Sequence, residues 1–287
     1  MTAPHPRNPL YRNDARIRAL RATFRTVGTV APGLAARLAE ALFVRPPRSE
    51  RREREQEFLA SGLRRTVRAG PHELAVWRWG EGPQVICLHG WGSCAGRFSA
   101  IGPALVEAGF GVTAFDAPAH GGSTGWRASL PEFAHALEMV AAATGPVHGL
   151  VGHSLGGAAI ALALSHGLAA ERAVLIAPPA DISAFSLRFA RHLGIPERTR
   201  ALMQQNLEAR FNLRWDHLHV ARLARQVRVP ALVIHDVDDV DVPWSEGRAV
   251  AEAWPGARLV QTQGLGHRAI LRDPEVVLRT VEFLAGS

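Results

Sequence analysis

The chain has 287 residues, of which 47% are hydrophobic and 21% charged, and its formal net charge is +7. This composition is typical of a folded globular protein and excludes disordered, collagen-like and coiled-coil classes. The sequence contains no lysine, so all 33 basic residues are arginines. Schiff-base enzymes, P-loop nucleotide-binding proteins and protein kinases, which need a lysine amine, are therefore excluded.

The positive charge is concentrated near the N-terminus. Residues 1–68 hold 15 arginines against 6 acidic residues, whereas residues 69–287 hold 18 arginines against 20 acidic residues. The body of the protein is therefore almost neutral, and we expect no nucleic-acid partner. For the basic arm three alternatives stay open: helices packed on the core, a surface for a protein partner, or peripheral contact with an anionic membrane.

Cysteine usage and the first residues bear on the compartment. Cys87 and Cys94 are too few for a disulfide-based scaffold. Met1–Asn13 is polar and interrupted by proline, without the apolar segment of a signal peptide. Both observations predict a cytoplasmic protein.

The N-terminal arm, residues 1–62, is predicted to be helical. An arginine-rich stretch over about 12–25 precedes a helix opened by Pro32, and a charged helix follows over Ser49–Ala60. From Leu63–Trp79 the sequence predicts two antiparallel strands that turn near Gly70.

In the part of the chain from residue 63 to the C-terminus, the strand pair comes first. Short apolar strands then alternate with helices. Such alternation predicts an α/β fold with a mostly parallel sheet flanked by helices. The strands are predicted over Val85–Leu88, Val112–Phe115, Val147–Val151, Ala173–Ile176, Ala231–Ile234 and Leu259–Gln261, and the helices over Phe98–Ala108, Pro131–Ala143, Leu155–His166, Trp244–Ala253 and Pro274–Leu284.

Residues 179–228 interrupt this rhythm. The segment has a helical pattern, is rich in arginine and is too long for an ordinary loop. We interpret it as a helical lid inserted into a domain that spans residues 63–287.

A predicted strand is followed by the sequence Gly-His-Ser-Leu-Gly at 152–156, which opens a helix. In this context a serine lies on a tight turn that projects its hydroxyl above the sheet, and its neighbours two residues away must be small. Ser154 is thus the candidate nucleophile. Serine needs a base, and the base needs an orienting acid. Asp239 and His267 each follow a later strand, in the expected order Ser, acid, His.

A glycine-rich turn, His89-Gly90-Trp91-Gly92, follows the first parallel strand. A backbone N–H in such a turn can face the developing negative charge, and the N–H of Leu155 at the start of the helix can provide a second donor. We expect Trp91 and Leu155 to form an oxyanion hole.

Five segments together resemble the α/β-hydrolase family: HGWG (89–92), FDAPAHGGS (115–123), GHSLGG (152–157), HDVDDVDVP (235–243) and GLGH (264–267). The resemblance implies Ser154 as nucleophile, His267 as base, Asp239 as orienting acid, and the Trp91 and Leu155 amides as the oxyanion hole. Two residues depart from the family pattern, because Asp236 and Ala119 stand where glycine is frequent.

Other assignments remain open at the acid position. Asp236, Asp238 and Asp241 lie close to Asp239 in the sequence, and Asp181 follows the preceding strand. The acidic residues do not have the spacing of a calcium-binding loop, so we expect neither a metal nor any other cofactor.

The sequence predicts a serine hydrolase that cleaves a carboxylic ester or thioester through an acyl-enzyme. Two alternatives share the same pocket. An acyltransferase would use the same triad, and a catalytically silent module would bind an apolar ligand there.

Overall fold

The computed structural model describes residues 15–47 and 50–286. Met1–Asn13, where no signal peptide is expected, and Ser49, where a helix is predicted to begin, lie outside these ranges. The described residues form two compact units. One contains the residues up to Val44 together with Asp181–His217, and the other contains Arg45–Ala180 and the residues from Leu218 onward.

The strands are β1 (Leu63–Ala69), β2 (His72–Trp79), β3 (Gln84–Leu88), β4 (Gly111–Phe115), β5 (Val147–His153), β6 (Arg172–Ile176), β7 (Ala231–Asp236) and β8 (Arg258–Thr262). The helices are α1 (Ala15–Val30), α2 (Pro32–Phe43), α3 (Glu53–Ala60), α4 (Ile101–Glu107), α5 (Leu130–Thr144), α6 (Leu155–Ser165), α7 (Ile182–Leu193), α8 (Glu197–Phe211), α9 (Val220–Ala224), α10 (Trp244–Ala253), α11 (Gly266–Ala269) and α12 (Pro274–Ala285).

All eight strands form one sheet in the order β1-β2-β4-β3-β5-β6-β7-β8. The pairs β1–β2 and β2–β4 are antiparallel, and every other pair is parallel. The central strands β3, β4 and β7 are buried along their whole length. Burial of whole strands is expected where helices cover both faces of a sheet. The α/β class with a mostly parallel sheet is therefore confirmed.

Two glycines of β5 show how closely the helices approach the sheet. Gly149 and Gly152 are three residues apart, so they face opposite sides of the strand. A Cβ atom at Gly149 would lie 2.5 Å from Leu284 of α12, and one at Gly152 would lie 2.6 Å from Ile160 of α6. Close helix packing on both faces fixes the end of β5, where Ser154 follows.

Two predicted helices begin later than the sequence pattern indicated. The predicted helix Phe98–Ala108 is a 3₁₀ turn, Ala95–Phe98, followed by α4. Pro103 explains the break, because proline has no N–H for a helix interior and is tolerated only in a first turn. The helix predicted from Ser49 begins at Glu53, where the backbone N–H of Arg52 donates to Glu55 Oε2 at 3.1 Å.

Residues 45–62 belong to the unit that contains the sheet, whereas the sequence placed a boundary at residue 62. Two ion pairs account for this. Arg51 Nη2 lies 2.7 Å from Asp116 Oδ2 after β4, and Glu55 Oε1 lies 3.0 Å from Arg97 Nη1. Both carboxylates are almost fully buried, so these residues are part of the packed interior.

The other unit consists of α1, α2, α7 and α8, with a 3₁₀ turn after α8. Its interior contains the buried carboxylate of Glu40, which accepts hydrogen bonds from Asn206 and from Arg210 at 3.2 Å. Arg21 of α1 donates to the carbonyl oxygen of His192 at 2.8 Å. A lid role for α7 and α8, and a membrane role for the basic arm, stay predictions.

Within the described ranges, no helix combines the length and apolar character needed to cross a bilayer.

Ala119 has a left-handed backbone, with φ +64°, in the turn after β4. For a residue with a Cβ atom, the left-handed conformation costs about 1–2 kcal/mol relative to the right-handed one. Glycine adopts both conformations at about the same cost. We expect Ala119→Gly to raise the free energy of unfolding by about 0.5–1 kcal/mol, since greater unfolded-state freedom offsets part of the gain.

Denaturant unfolding measures this change, and Ala143→Gly is the matched control. Ala143 is exposed in α5, where glycine costs about 1 kcal/mol relative to alanine. Equal destabilisation by both substitutions would show that residue 119 is not strained.

Candidate active site

Ser154 lies on a sharp turn between β5 and α6, with φ +53° and ψ −123°. Its N–H donates to Ile176 O at 2.9 Å, and its carbonyl oxygen accepts from Gly157 N–H at 2.9 Å. A non-glycine residue in this conformation costs on the order of 1–3 kcal/mol, so the surrounding structure must impose it. Strain of this kind clusters at functional sites.

Three glycines leave room for this turn. A Cβ atom at Gly156 would overlap the carbonyl oxygen of Leu88, and one at Gly152 would lie 2.6 Å from Gly157 N. A Cβ atom at Gly90 would lie 2.8 Å from Ser154 Cβ. The turn after β3 therefore runs directly against the serine.

The structure pairs His267 with Asp239. His267 Nδ1 lies 2.7 Å from Asp239 Oδ2, while Asp239 Oδ1 accepts hydrogen bonds from the N–H groups of Asp241 and Val242, both at 2.9 Å. His235 Nε2 lies 3.0 Å from Val242 O and 3.4 Å from Asp239 Oδ2. Because a carbonyl oxygen only accepts, His235 Nε2 carries the proton and donates it to Val242 O, three residues after Asp239.

The Asp239 side chain is fully buried. Burial raises the pKa of Asp239, but the hydrogen bonds from His235 and His267 and the charge of His267 outweigh it, and the pKa lies well below its usual range. The carboxylate is therefore ionised and accepts the proton on His267 Nδ1. His267 Nε2 is then the ring nitrogen left to act as a base.

His153 connects His267 to the serine turn. Its Nε2 donates to His267 O at 2.7 Å, and the two rings have centroids 4.7 Å apart. Burial and the neighbouring His267 hold the pKa of His153 well below its usual range, so this ring is neutral. His267 thus lies beside the residue that precedes Ser154, whereas a hydrogen bond from Ser154 to His267 stays a prediction.

The two amides predicted for the oxyanion hole lie next to the serine turn. Leu155 is the first residue of α6, and Trp91 follows the glycine that contacts Ser154. In the part of the chain that the structure describes, neither N–H donates to another protein group. Both donors are therefore available for an oxygen of a bound substrate.

Two buried histidines hold the loop that carries Trp91. His89 Nε2 accepts from Ala117 N–H at 3.0 Å, so its protonated Nδ1 donates to Gly90 O at 2.7 Å. His120 Nε2 accepts from Gly92 N–H at 2.9 Å. Desolvation by burial lowers the pKa of His89 to about 4 and that of His120 to about 3. Both rings are neutral near pH 7, and they act as hydrogen-bond supports.

Asp116, which the sequence analysis did not single out, lies below the same loop. Its Oδ1 accepts from Ala95 N–H at 2.7 Å, and its Oδ2 accepts from Gly122 N–H and Arg51, both at 2.7 Å. In the sequence, Asp116 is marked by its place directly after a buried strand and within the segment FDAPAHGGS. Its partner Arg51 is 65 positions away in the sequence, so no local pattern indicates that the two residues pair.

The other candidate acids have different partners. Asp181 caps α7 and accepts from Ser183 N–H at 2.7 Å. Asp238 Oδ2 accepts from Gly264 N–H at 3.0 Å, and Asp241 lies 3.8 Å from Arg268. Asp236 accepts hydrogen bonds from backbone N–H groups and a hydroxyl in the segment before His267. Among the described residues, no group of three or more His, Cys, Asp or Glu side chains is arranged to hold a metal ion.

Comparisons with known proteins show what the chain is similar to. Residues 82–214, just under half of the chain, match a family model described as serine aminopeptidase, S33. A segment of 65 residues is 43% identical to RutD of Pseudomonas savastanoi pv. phaseolicola, which is provisionally named a carbamate hydrolase. That alignment covers 22% of this chain and 25% of the relative, so three quarters of the relative's length is unmatched.

Solved structures share the fold at low sequence identity. The Pyrococcus furiosus esterase Pf2001 superposes with a TM-score of 0.65 and 21% identity, covering 84% of this chain and 98% of that one. A bromoperoxidase from Bacillus anthracis gives a TM-score of 0.61 at 18% identity, with 78% and 100% coverage. An esterase from Rhodococcus sp. ECU1013 gives 0.60 at 21% identity, with 78% and 98% coverage.

The crowding at residue 156 can be tested directly. We expect Gly156→Ala to lower the free energy of unfolding by about 3 kcal/mol or to prevent folding, because its Cβ would overlap backbone atoms that cannot move aside. Gly33→Ala is the matched control, since a Cβ there meets nothing within 4 Å.

Thermal and denaturant unfolding of both variants provide the measurement. The control is expected to be neutral or slightly stabilising, because alanine favours a helix more than glycine does. A Gly156→Ala variant as stable as the parent would contradict the geometry described for this turn.

Proposed function

We propose that the chain is a serine hydrolase of the α/β-hydrolase superfamily that cleaves a carboxylic ester or thioester through an acyl-enzyme. The observation that carries the proposal is the 2.7 Å pairing of His267 Nδ1 with Asp239 Oδ2. His267 is held by His153 next to the strained turn at Ser154. This is the combination of nucleophile, base and orienting acid that such chemistry needs.

The proposed reaction has two halves. His267 Nε2 removes the proton of Ser154 as its oxygen attacks the acyl carbon, and the N–H groups of Trp91 and Leu155 stabilise the oxyanion that forms. His267 then gives the proton to the leaving alcohol or thiol, and the acyl group stays on Ser154. Water, deprotonated by His267, attacks the acyl-enzyme, and the acid is released as the proton returns to Ser154.

The remaining residues of the site have supporting roles in this scheme. Asp239 fixes the orientation of His267 and stabilises the imidazolium formed in each half. The neutral rings of His89 and His120 keep the loop of Trp91 in place, so that its N–H is oriented before the reaction begins. Esters as substrates are supported by the two esterases among the structural relatives.

Ser154→Ala and His267→Ala are each expected to reduce kcat by about 10⁴-fold or more, because each removes a group that acts on the reacting atoms. The assay uses a panel of esters and thioesters graded by acyl length. Ser165→Ala is the matched control, because Ser165 ends α6, 11 residues or about 16 Å along the same helix.

We expect the control to keep full activity and all three variants to keep the parent's circular dichroism spectrum. Unchanged turnover in folded Ser154→Ala would contradict the proposed function.

The pH dependence follows from the carboxylate. Since the pKa of Asp239 is lowered, its charge persists above pH 4, and it gains a proton only below the range in which an ordinary aspartate titrates. We therefore expect Asp239 to take up no proton between pH 7 and pH 4, so any fall in log(kcat/KM) over this range should have a slope no greater than one.

Steady-state kinetics across this range, with parallel fluorescence measurements to confirm folding, test the expectation. A slope of two above pH 4 in folded protein would contradict the lowered pKa of Asp239.

A further inference from the structure

The side chain of Asp236, at the end of β7, is fully buried and accepts four hydrogen bonds. Its Oδ1 accepts from the N–H groups of Asp238 and Gly266, both at 3.0 Å. Its Oδ2 accepts from Thr262 Oγ1 at 2.8 Å and from Leu265 N–H at 3.1 Å. Both oxygens are thus fully used by neighbouring donors.

These donors link the two segments that carry the acid and the base. Leu265 and Gly266 directly precede His267, and Thr262 is the last residue of β8. On the acid side, Asp239 N–H donates to the carbonyl oxygen of Asp236 at 3.2 Å. A single residue therefore fixes the backbone of His267 relative to the backbone of Asp239.

We propose that Asp236 is a positioning residue that holds the backbone before His267, so that the imidazole is aligned between Asp239 and Ser154. The inference rests on the proposed function and extends it to a residue that touches none of the reacting atoms. Glycine, which is frequent at this position in the family that the sequence resembles, has no side chain to accept these bonds.

The charge state of Asp236 suits this role. Burial raises the pKa of Asp236, but hydrogen bonds from Gly266, Thr262, Leu265 and Asp238 outweigh it, and the pKa is lower than usual. The side chain is therefore an ionised acceptor, and hydrogen bonds to a carboxylate are stronger than those to a neutral amide.

Asp236→Asn tests the proposal with almost no change in volume. The amide nitrogen would face either Leu265 N–H or Gly266 N–H, and two donors cannot bond to each other. We expect kcat to fall by about 10- to 100-fold, because small misplacement of a catalytic group has effects of this size. KM should stay within about twofold, since no substrate contact is removed.

Two controls separate this role from a general effect on the loop. Asp238→Asn changes an acceptor of the Gly264 N–H in the same segment, and Thr262→Val removes one hydroxyl donor but keeps the amide bonds. Both should keep kcat within about threefold. If Asp236→Asn does not fold, Asp236→Gly takes its place, because it removes the acceptors without introducing an opposing donor.

Amide hydrogen exchange provides a readout that does not depend on activity. In the parent, Leu265 and Gly266 should exchange slowly, and the substitution at residue 236 should accelerate both while amides of β5 are unchanged. Three results would each overturn the proposal. They are a folded variant with kcat within twofold of the parent, a change confined to KM, and rapid exchange of the Leu265 and Gly266 amides in the parent. If the parent hydrolyses nothing in the panel, the proposed function fails, and exchange still tests the positioning.

Discussion

The structure depends on one steric constraint, the close contact between the turn after β5 and the turn after β3. Gly90 and Gly156 allow backbone to meet backbone there, and Ser154 is held at φ +53° between fixed hydrogen bonds. The strained conformation places Ser154, which is half-buried, directly after the end of β5. Without this contact, the amides of Trp91 and Leu155 would not lie on adjoining segments.

Neutral imidazoles stabilise the surroundings of this turn. Burial lowers the pKa of His89, His120 and His153, and each ring nitrogen that binds backbone has one definite role as donor or acceptor. A protonated ring could not accept the N–H groups of Ala117 or Gly92. His267 has the ionised carboxylate of Asp239 as its hydrogen-bond partner, which matches it to the role of base.

Much of this arrangement could be predicted from the sequence, because its signals are local. The alternation of strands and helices gave the sheet, and the glycine spacing around Ser154 marked the turn. The hydrogen bonds and ion pairs that hold the site in place could not be predicted. Arg51 and Asp116 pair across 65 positions, and Asp236 has donors 26 to 30 residues away. Their burial depends on the completed packing, as does the assignment of residues 45–62 to the sheet unit.

The most direct test of the account is the crystal structure of the protein after reaction with a fluorophosphonate. We expect a covalent bond between phosphorus and Ser154 Oγ, with the phosphoryl oxygen about 3 Å from the N–H groups of both Trp91 and Leu155. His267 Nε2 should lie within hydrogen-bond distance of the same serine oxygen. An adduct on another residue, or a phosphoryl oxygen directed away from both amides, would contradict the account.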